Sequence, residues 1–258
     1  MIINYVPCMK CLQELGRPEY FIHMQLNNDA AWELICPAGH KTQVALQNPK
    51  FERFFHMGCL QFLEKNWKNC VHNIITALEE FIGYVIKIIC FSSNLEDYCA
   101  EIIKSLDSLW ERKYGAFIAL YLMKFKKNKI IPKKQVEFRN KITHHGYIPT
   151  ERQAFAYCEF IHNFIMSIQN EINQKISSEI LDSFTRKRLE EKNKLFRSDI
   201  PPSFFHLNMI LNISNQNKTL KEKLVELKPM KCFMHDSSLP EEWIDFQSLK
   251  DSPKLNNF

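Results

Sequence analysis

Two groups of residues in this 258-residue chain have the types and spacing to do chemistry. Cys8-Met-Lys-Cys11 is a C-x2-C pair, and Cys36-Pro-Ala-Gly-His40 adds a second pair at C-x3-H spacing. Two ligands a few residues apart on a tight turn chelate a metal ion from one side, and a distant second pair closes a tetrahedron around it. Zn2+ favours such donors, and a full Cys3His set leaves no open position, so a structural zinc is expected at Cys8, Cys11, Cys36 and His40. The second group is Arg139, Asn140 and His144, within the run from Phe138 to Thr150. Arg-to-His spacing alone says little, since one such pair is expected about once by chance. Its place says more, because a helix end followed by a capped helix start leaves amides free and side chains facing a cleft. Five positions apart, Arg139 and His144 do not share a face of an ideal helix. They converge only if the helix ends near Ile142 and the turn folds His144 back.

The elements that must position these groups are readable from periodicity. Alternation around Tyr20, Ile22, Met24 and Leu26 predicts a short strand, and Trp32 to Cys36 and Thr42 to Leu46 predict two more about the Pro37-Ala38-Gly39 turn. Residues 1–49 thus form a β-rich unit, too small to bury much core without a metal. From Phe51 the period changes to helical. A helix over 51–66 precedes a long amphipathic one over roughly 68–91, whose stripe is Val71, Ile75, Leu78, Ile82, Val85 and Ile89. Further helices are expected over about 95–110 and 112–127, the latter ending in Lys124, Lys126 and Lys127. Thr150-Glu151-Arg152-Gln153 is a capping box that opens another. Residues 50–178 therefore read as an antiparallel helical bundle with short loops. Residues 179–258 read as an irregular extension with one strand over Phe205, Leu207, Met209, Leu211 and Ile213, expected to pack on the N-terminal unit.

The fold class is mainly α. No basic and apolar leader opens the sequence, and the longest apolar run, Phe81 to Phe91, contains Lys87 and is far short of the ~20 residues a membrane span needs. Nine cysteines, an odd number scattered along helical segments, argue against a disulfide framework, so a reducing cytoplasm is the expected compartment. Cys59, Cys70, Cys90, Cys99 and Cys158 read as small core residues. A net charge of +5 suits a polyanionic partner without requiring one.

The run Arg139-Asn140-Lys141-Ile142-Thr143-His144, followed by His145-Gly146-Tyr147-Ile148-Pro149, resembles the Arg-Asn-x-x-x-His motif of the HEPN superfamily, in the form found in abortive-infection-like proteins. The stretch around Thr76 to Ile82 is similar to that family's long second helix, and the similarity spans roughly residues 50–178. The resemblance implies a bundle that dimerises, placing two Arg–His pairs in one cleft, and a metal-independent endoribonuclease in its competent members. One neutral imidazole would take the proton of a ribose 2′-OH and a second, protonated one would give a proton to the leaving 5′-oxygen. Carried onto this chain, Arg139 is the phosphate clamp, His144 the acid/base and Asn140 a polar helper, with His145 the alternative acid/base. An acidic residue on the second helix orients the Arg in many members. Glu79 sits at the edge of the apolar stripe and fits that role, whereas Glu80 lies opposite and reads as a solvated charge. Tyr147 has the spacing of a modifiable toxin tyrosine only if His145 is catalytic, so it reads instead as a packing residue of the turn.

The leading expectation is therefore an RNase acting as a toxin or antiviral effector on RNA, as a homodimer, with an antitoxin or regulatory partner conceivable. The alternative is a non-catalytic HEPN-like module that binds RNA or nucleotide, or a protein partner. A zinc-dependent enzyme is disfavoured by the closed ligand set and the lack of His-Glu-x-x-His spacing.

Overall fold

Apolar residues on more than one side of the 67–91 segment make it the centre of the molecule. In a computed structural model, which describes residues 3–16, 21–25, 27–95, 104–105, 109–197, 199–211 and 218–232, the described elements run in the order β1 (Ile3–Pro7), α1 (Met9–Leu15), β2 (Phe21–Gln25), β3 (Ala31–Ile35), β4 (Lys41–Leu46), α2 (Lys50–Leu63), α3 (Trp67–Phe91), α4 (Trp110–Phe125), α5 (Lys133–His145), α6 (Glu151–Lys175), α7 (Ser178–Asn193), β5 (Pro202–Phe205) and α8 (Leu220–Cys232). The whole expected α3 stripe is buried, and so are Ile74, Phe81, Ile86 and Ile88. That width follows from its neighbours, since α3 packs against α2, α4, α5, α6 and α7. Asn66 caps it by accepting from the Asn69 amide.

Helices α2 and α3 form a hairpin that is tightly packed at Gly58. A Cβ built there would lie 2.7 Å from Ile74 Cδ1 and 3.1 Å from the Cys70 carbonyl oxygen. Gly58→Ala should therefore lower stability by about 1–2 kcal/mol, overpacking outweighing the better helix propensity of alanine. Urea unfolding measures this directly.

The bundle core holds two histidines with little access to water. His56 is buried with no partner at Nδ1, and His162 sits between Asn163 Oδ1 (3.1 Å) and Lys223 Nζ (3.1 Å). Because an ammonium only donates, His162 accepts at Nε2 and carries its proton on Nδ1. Burial lowers both pKa values from 6.5 to about 4. As pH falls below 6.5 the unfolded chain takes up these protons and the folded one does not, so stability declines until about pH 4. The slope is up to about 1.4 kcal/mol per pH unit for each histidine. Thermal melts across this range should show His56→Leu with a visibly shallower decline than the parent.

Two small sheets lie at the other end of the fold. β1 pairs antiparallel with β2, and β3–β4–β5 form a second sheet in which β3/β4 is antiparallel and β4/β5 parallel. The expected docking of a C-terminal strand on the N-terminal unit is seen, but the strand is Pro202–Phe205, ahead of the predicted one. Asn48 ends the ladder there. Its side chain accepts from the Leu207 amide (2.7 Å) and donates to the Leu207 carbonyl (3.0 Å), turning the chain so that Met209, Ile210 and Leu211 are buried. Ile213 lies outside the described residues, as does most of the helix expected over 95–110.

The C-terminal extension is also more helical than expected, with α7 and α8 flanking the strand. Arg188 and Lys192 of α7 donate to the Gln47 and Leu46 carbonyls, at 2.5 and 2.6 Å, and bind it to the end of β4. Cys90 departs from the free-thiol expectation, being disulfide-bonded. Among the described residues, no helix is long and apolar enough to cross a membrane.

Candidate functional site

The two Cys/His pairs come together. Cys8 is the N-cap of α1 and Cys11 lies on its first turn, so three positions of helix bring both thiols to one side. Cys36 and His40 flank the β3–β4 turn, which is closed by Gly39 N–H to Cys36 O (2.8 Å) and Cys36 N–H to His40 O (3.0 Å). Gly39 has φ +82°, a conformation that favours glycine. The four ligand atoms all lie within 4.8 Å of one another. Cys11 Sγ is 3.2 Å from His40 Nδ1 and 3.8 Å from Cys36 Sγ, and Cys8 Sγ is 3.9 Å from His40 Nδ1. A tetrahedral ion with bonds of about 2.0–2.3 Å needs ligand edges of about 3.3–3.8 Å, and these three separations are close to that, so the set could hold a metal ion. The three cysteines are buried and form a small cluster of their own.

A residue not anticipated from sequence completes the site. Glu14 Oε2 lies 3.3 Å from His40 Nε2. A carboxylate on that nitrogen holds its proton there and leaves the Nδ1 lone pair facing the thiols. Glu14 follows Cys11 by three residues on α1, which is the signal that could have found it. Burial raises the Cys8 pKa, yet hydrogen bonds from the Cys11 amide, the Cys11 thiol and His40 more than offset this and bring it to about 7. Burial and the neighbouring thiols push Cys11 up to about 12. Three thiols this close cannot all ionise without a cation among them.

The Arg139 site is built from three helices. Arg139 is buried on α5, and its Nη2 donates to Glu79 Oε1 of α3 at 2.6 Å. Its Nη1 donates to Asn140 Oδ1 at 3.0 Å, and the guanidinium lies 5.2 Å from the Trp110 ring centroid at the start of α4. Glu79 is thus the carboxylate that holds Arg139, as the sequence suggests. Glu80 is not a free solvated charge, because it pairs with Lys50 at 2.7 Å. Trp110 carries no local signal of this role, since only the packing of α4 on α3 brings it there.

His144 does not fold back toward Arg139 within the chain, and this corrects the expected geometry. Helix α5 runs on through Thr143, His144 and His145, and stops only at Gly146, whose φ of +65° forms the cap. The Gly146 and Tyr147 amides both close on the Lys141 carbonyl. Arg139 and Ile142 define the inward face of α5, and His144 lies about 140° around the helix from Arg139. His144 and His145 are both exposed, and Asn140 shares the His144 face at i,i+4 spacing. Tyr147, 38% exposed, lies against Phe138 (6.4 Å between centroids) and donates to Gln153 Oε1 at 3.1 Å. Thr150 and Gln153 form the predicted capping box.

Comparison with protein-family models, curated proteins and solved structures finds no match for this chain.

Proposed function

We propose that this chain is a metal-independent endoribonuclease of HEPN type that works as a homodimer, in the role of a toxin or antiviral effector. The observation that carries the reading is the Glu79–Arg139 bond at 2.6 Å. It joins the motif arginine to an acid on the long second helix, as the resemblance implies. Held by Glu79 and stacked on Trp110, Arg139 has little rotamer freedom left to lose on binding a phosphate. A guanidinium has five N–H donors; two are engaged here and Nε is buried, which leaves one N–H on each of Nη1 and Nη2 for a scissile phosphate.

The divergence of Arg139 and His144 in one chain makes a second copy part of this reading. His144 on the exposed end of one α5 would act with the arginine or histidine of its twin across a two-fold axis. Ile148, 70% exposed and four residues on, offers apolar surface for that contact. One imidazole removes the 2′-OH proton, the 2′-oxygen attacks phosphorus, and the other imidazole protonates the departing 5′-oxygen, leaving a 2′,3′-cyclic phosphate. Arg139 and Asn140 stabilise the charge on the phosphate oxygens.

The bound ion in this reading is Zn2+, which the Cys3His donor set favours. Its four protein ligands give it a structural role, tying α1 to the β3–β4 turn. One observation favours a competing reading. Arg139 is only 8% exposed and salt-linked, as a purely architectural arginine would be in a non-catalytic RNA-binding or interaction module. Cleavage of RNA by the purified protein, with no added metal, separates the two.

A further inference from the structure

A large cleft among the described residues lies apart from the metal cluster and from His144. It has a volume of about 1140 Å3 and opens between the segments before β3 and after β4, α2, α3, α4 and α7. Its floor is one face of α3, where Thr76, Glu80, Gly83, Lys87 and Phe91 recur at helical spacing over about 22 Å. Eight basic side chains line it against four acidic ones. Two of those acids are already matched, Glu79 by Arg139 and Glu80 by Lys50.

The deepest cations lie in the field of Glu80, Asp29 and Glu52, yet direct their hydrogen bonds to backbone carbonyls. Arg53 is 7% exposed and donates to the Asn27 and Asn28 carbonyls, while its buried Nε has no partner. Arg188 and Lys192 give their hydrogen bonds to uncharged carbonyls of Gln47 and Leu46. The three charges repel one another. Burial, then Arg53 and Arg188, lower Lys192 to about 8, with Asp29 acting the other way. Aromatic rings stand beside them, Arg188 lying over Tyr84 (5.5 Å) and Lys187 over Phe91 (5.8 Å). Cations tracking a groove with interleaved aromatic faces are the features that bind a single nucleic-acid strand without reading its sequence.

We infer that this cleft is the track for a single RNA strand, its phosphates held by Arg53, Lys87, Arg188 and Lys192. The inference rests on the ribonuclease reading only for the choice of RNA. Glu79, which lines the cleft and holds Arg139, connects the track to the proposed catalytic pair. A 22 Å floor exceeds what one nucleotide's phosphates need, which favours a strand over a mononucleotide.

The test is fluorescence anisotropy with a labelled oligoadenylate of about 12 nucleotides carrying 2′-O-methyl riboses, which cannot be cleaved by 2′-oxygen attack. The double variant Lys87→Gln/Lys192→Gln should bind roughly tenfold more weakly at moderate salt. Its log K against log[salt] slope should be shallower by about 1.4, or about 0.7 for each phosphate that is no longer neutralised. The charge-matched control Lys65→Gln/Lys221→Gln, outside the cleft, should bind like the parent, and thermal melts confirm that both are folded. Equal weakening by the control pair, displacement of the probe by ATP at the same concentration as unlabelled oligonucleotide, or no binding by the parent would each overturn the assignment. Binding without any cleavage of ordinary RNA sinks the nuclease reading alone, and cleavage without cleft-dependent binding sinks this one alone.

Discussion

Cys11→Ser should remove the metal and with it the order of the whole N-terminal unit. Among the described residues, that unit's apolar core is Val6, Ala30, Val44 and Leu46, with Trp32, Leu34, Phe205 and Leu207 packed at its edge. A unit of this size needs a stabiliser beyond its apolar core to offset the ordering of its backbone. A structural zinc contributes on the order of 10 kcal/mol or more in small domains, and most of that is folding free energy. Elemental analysis of the purified protein should find about one zinc per chain, and none in Cys11→Ser. The melting temperature should fall by about 10 °C or more, since a chain of this size loses about 2–4 °C per kcal/mol. Glu14→Gln is the milder partner of this experiment. It leaves the ligands in place but frees the His40 ring, and should weaken metal affinity about 10–100-fold. A metal-free parent protein that melts with Cys11→Ser would contradict the account of this site.

His144→Ala should slow RNA cleavage by about 10²–10⁴ at unchanged stability, the usual contribution of a general acid or base. The side chain is exposed at the end of α5, so its removal leaves no cavity and no stranded partner. Arg139→Ala should cost at least about 10²-fold, as loss of a phosphate-stabilising donor does. It also strands Glu79 and uncovers Trp110, so a lower melting temperature is expected from that variant and not from His144→Ala. His145→Ala should stay within roughly threefold of the parent, because only His144 shares a helix face with Asn140. The reverse ranking of the two histidines would move the acid/base role to His145.

What is legible in the chain follows from how local each feature is. The metal ligands are chelating pairs a few residues apart, so their spacing carries the geometry with little help from the fold. Glu79 is legible because its angle on α3 is fixed by the helical period. The direction of His144 is not, since it depends on whether Thr143 continues the helix, and Gly146 with its left-handed cap allows it to do so. The C-terminal strand is displaced by a side chain 159 residues away, Asn48, which no local pattern reveals. Trp110 and the cations of the α3–α7 cleft belong to the same class, joined only when distant helices pack. β1 and α1 leave little trace in the pattern because each is short, five and seven residues, and is stabilised by its pairing or by the ligands it carries.

The most direct measurement is a cleavage assay on single-stranded RNA with EDTA present and product ends identified. The account predicts fragments ending in 2′,3′-cyclic phosphate from the parent protein, with a rate at least about 100-fold lower for folded His144→Ala. An inert parent, a requirement for added divalent metal, or an unchanged rate in His144→Ala would contradict it.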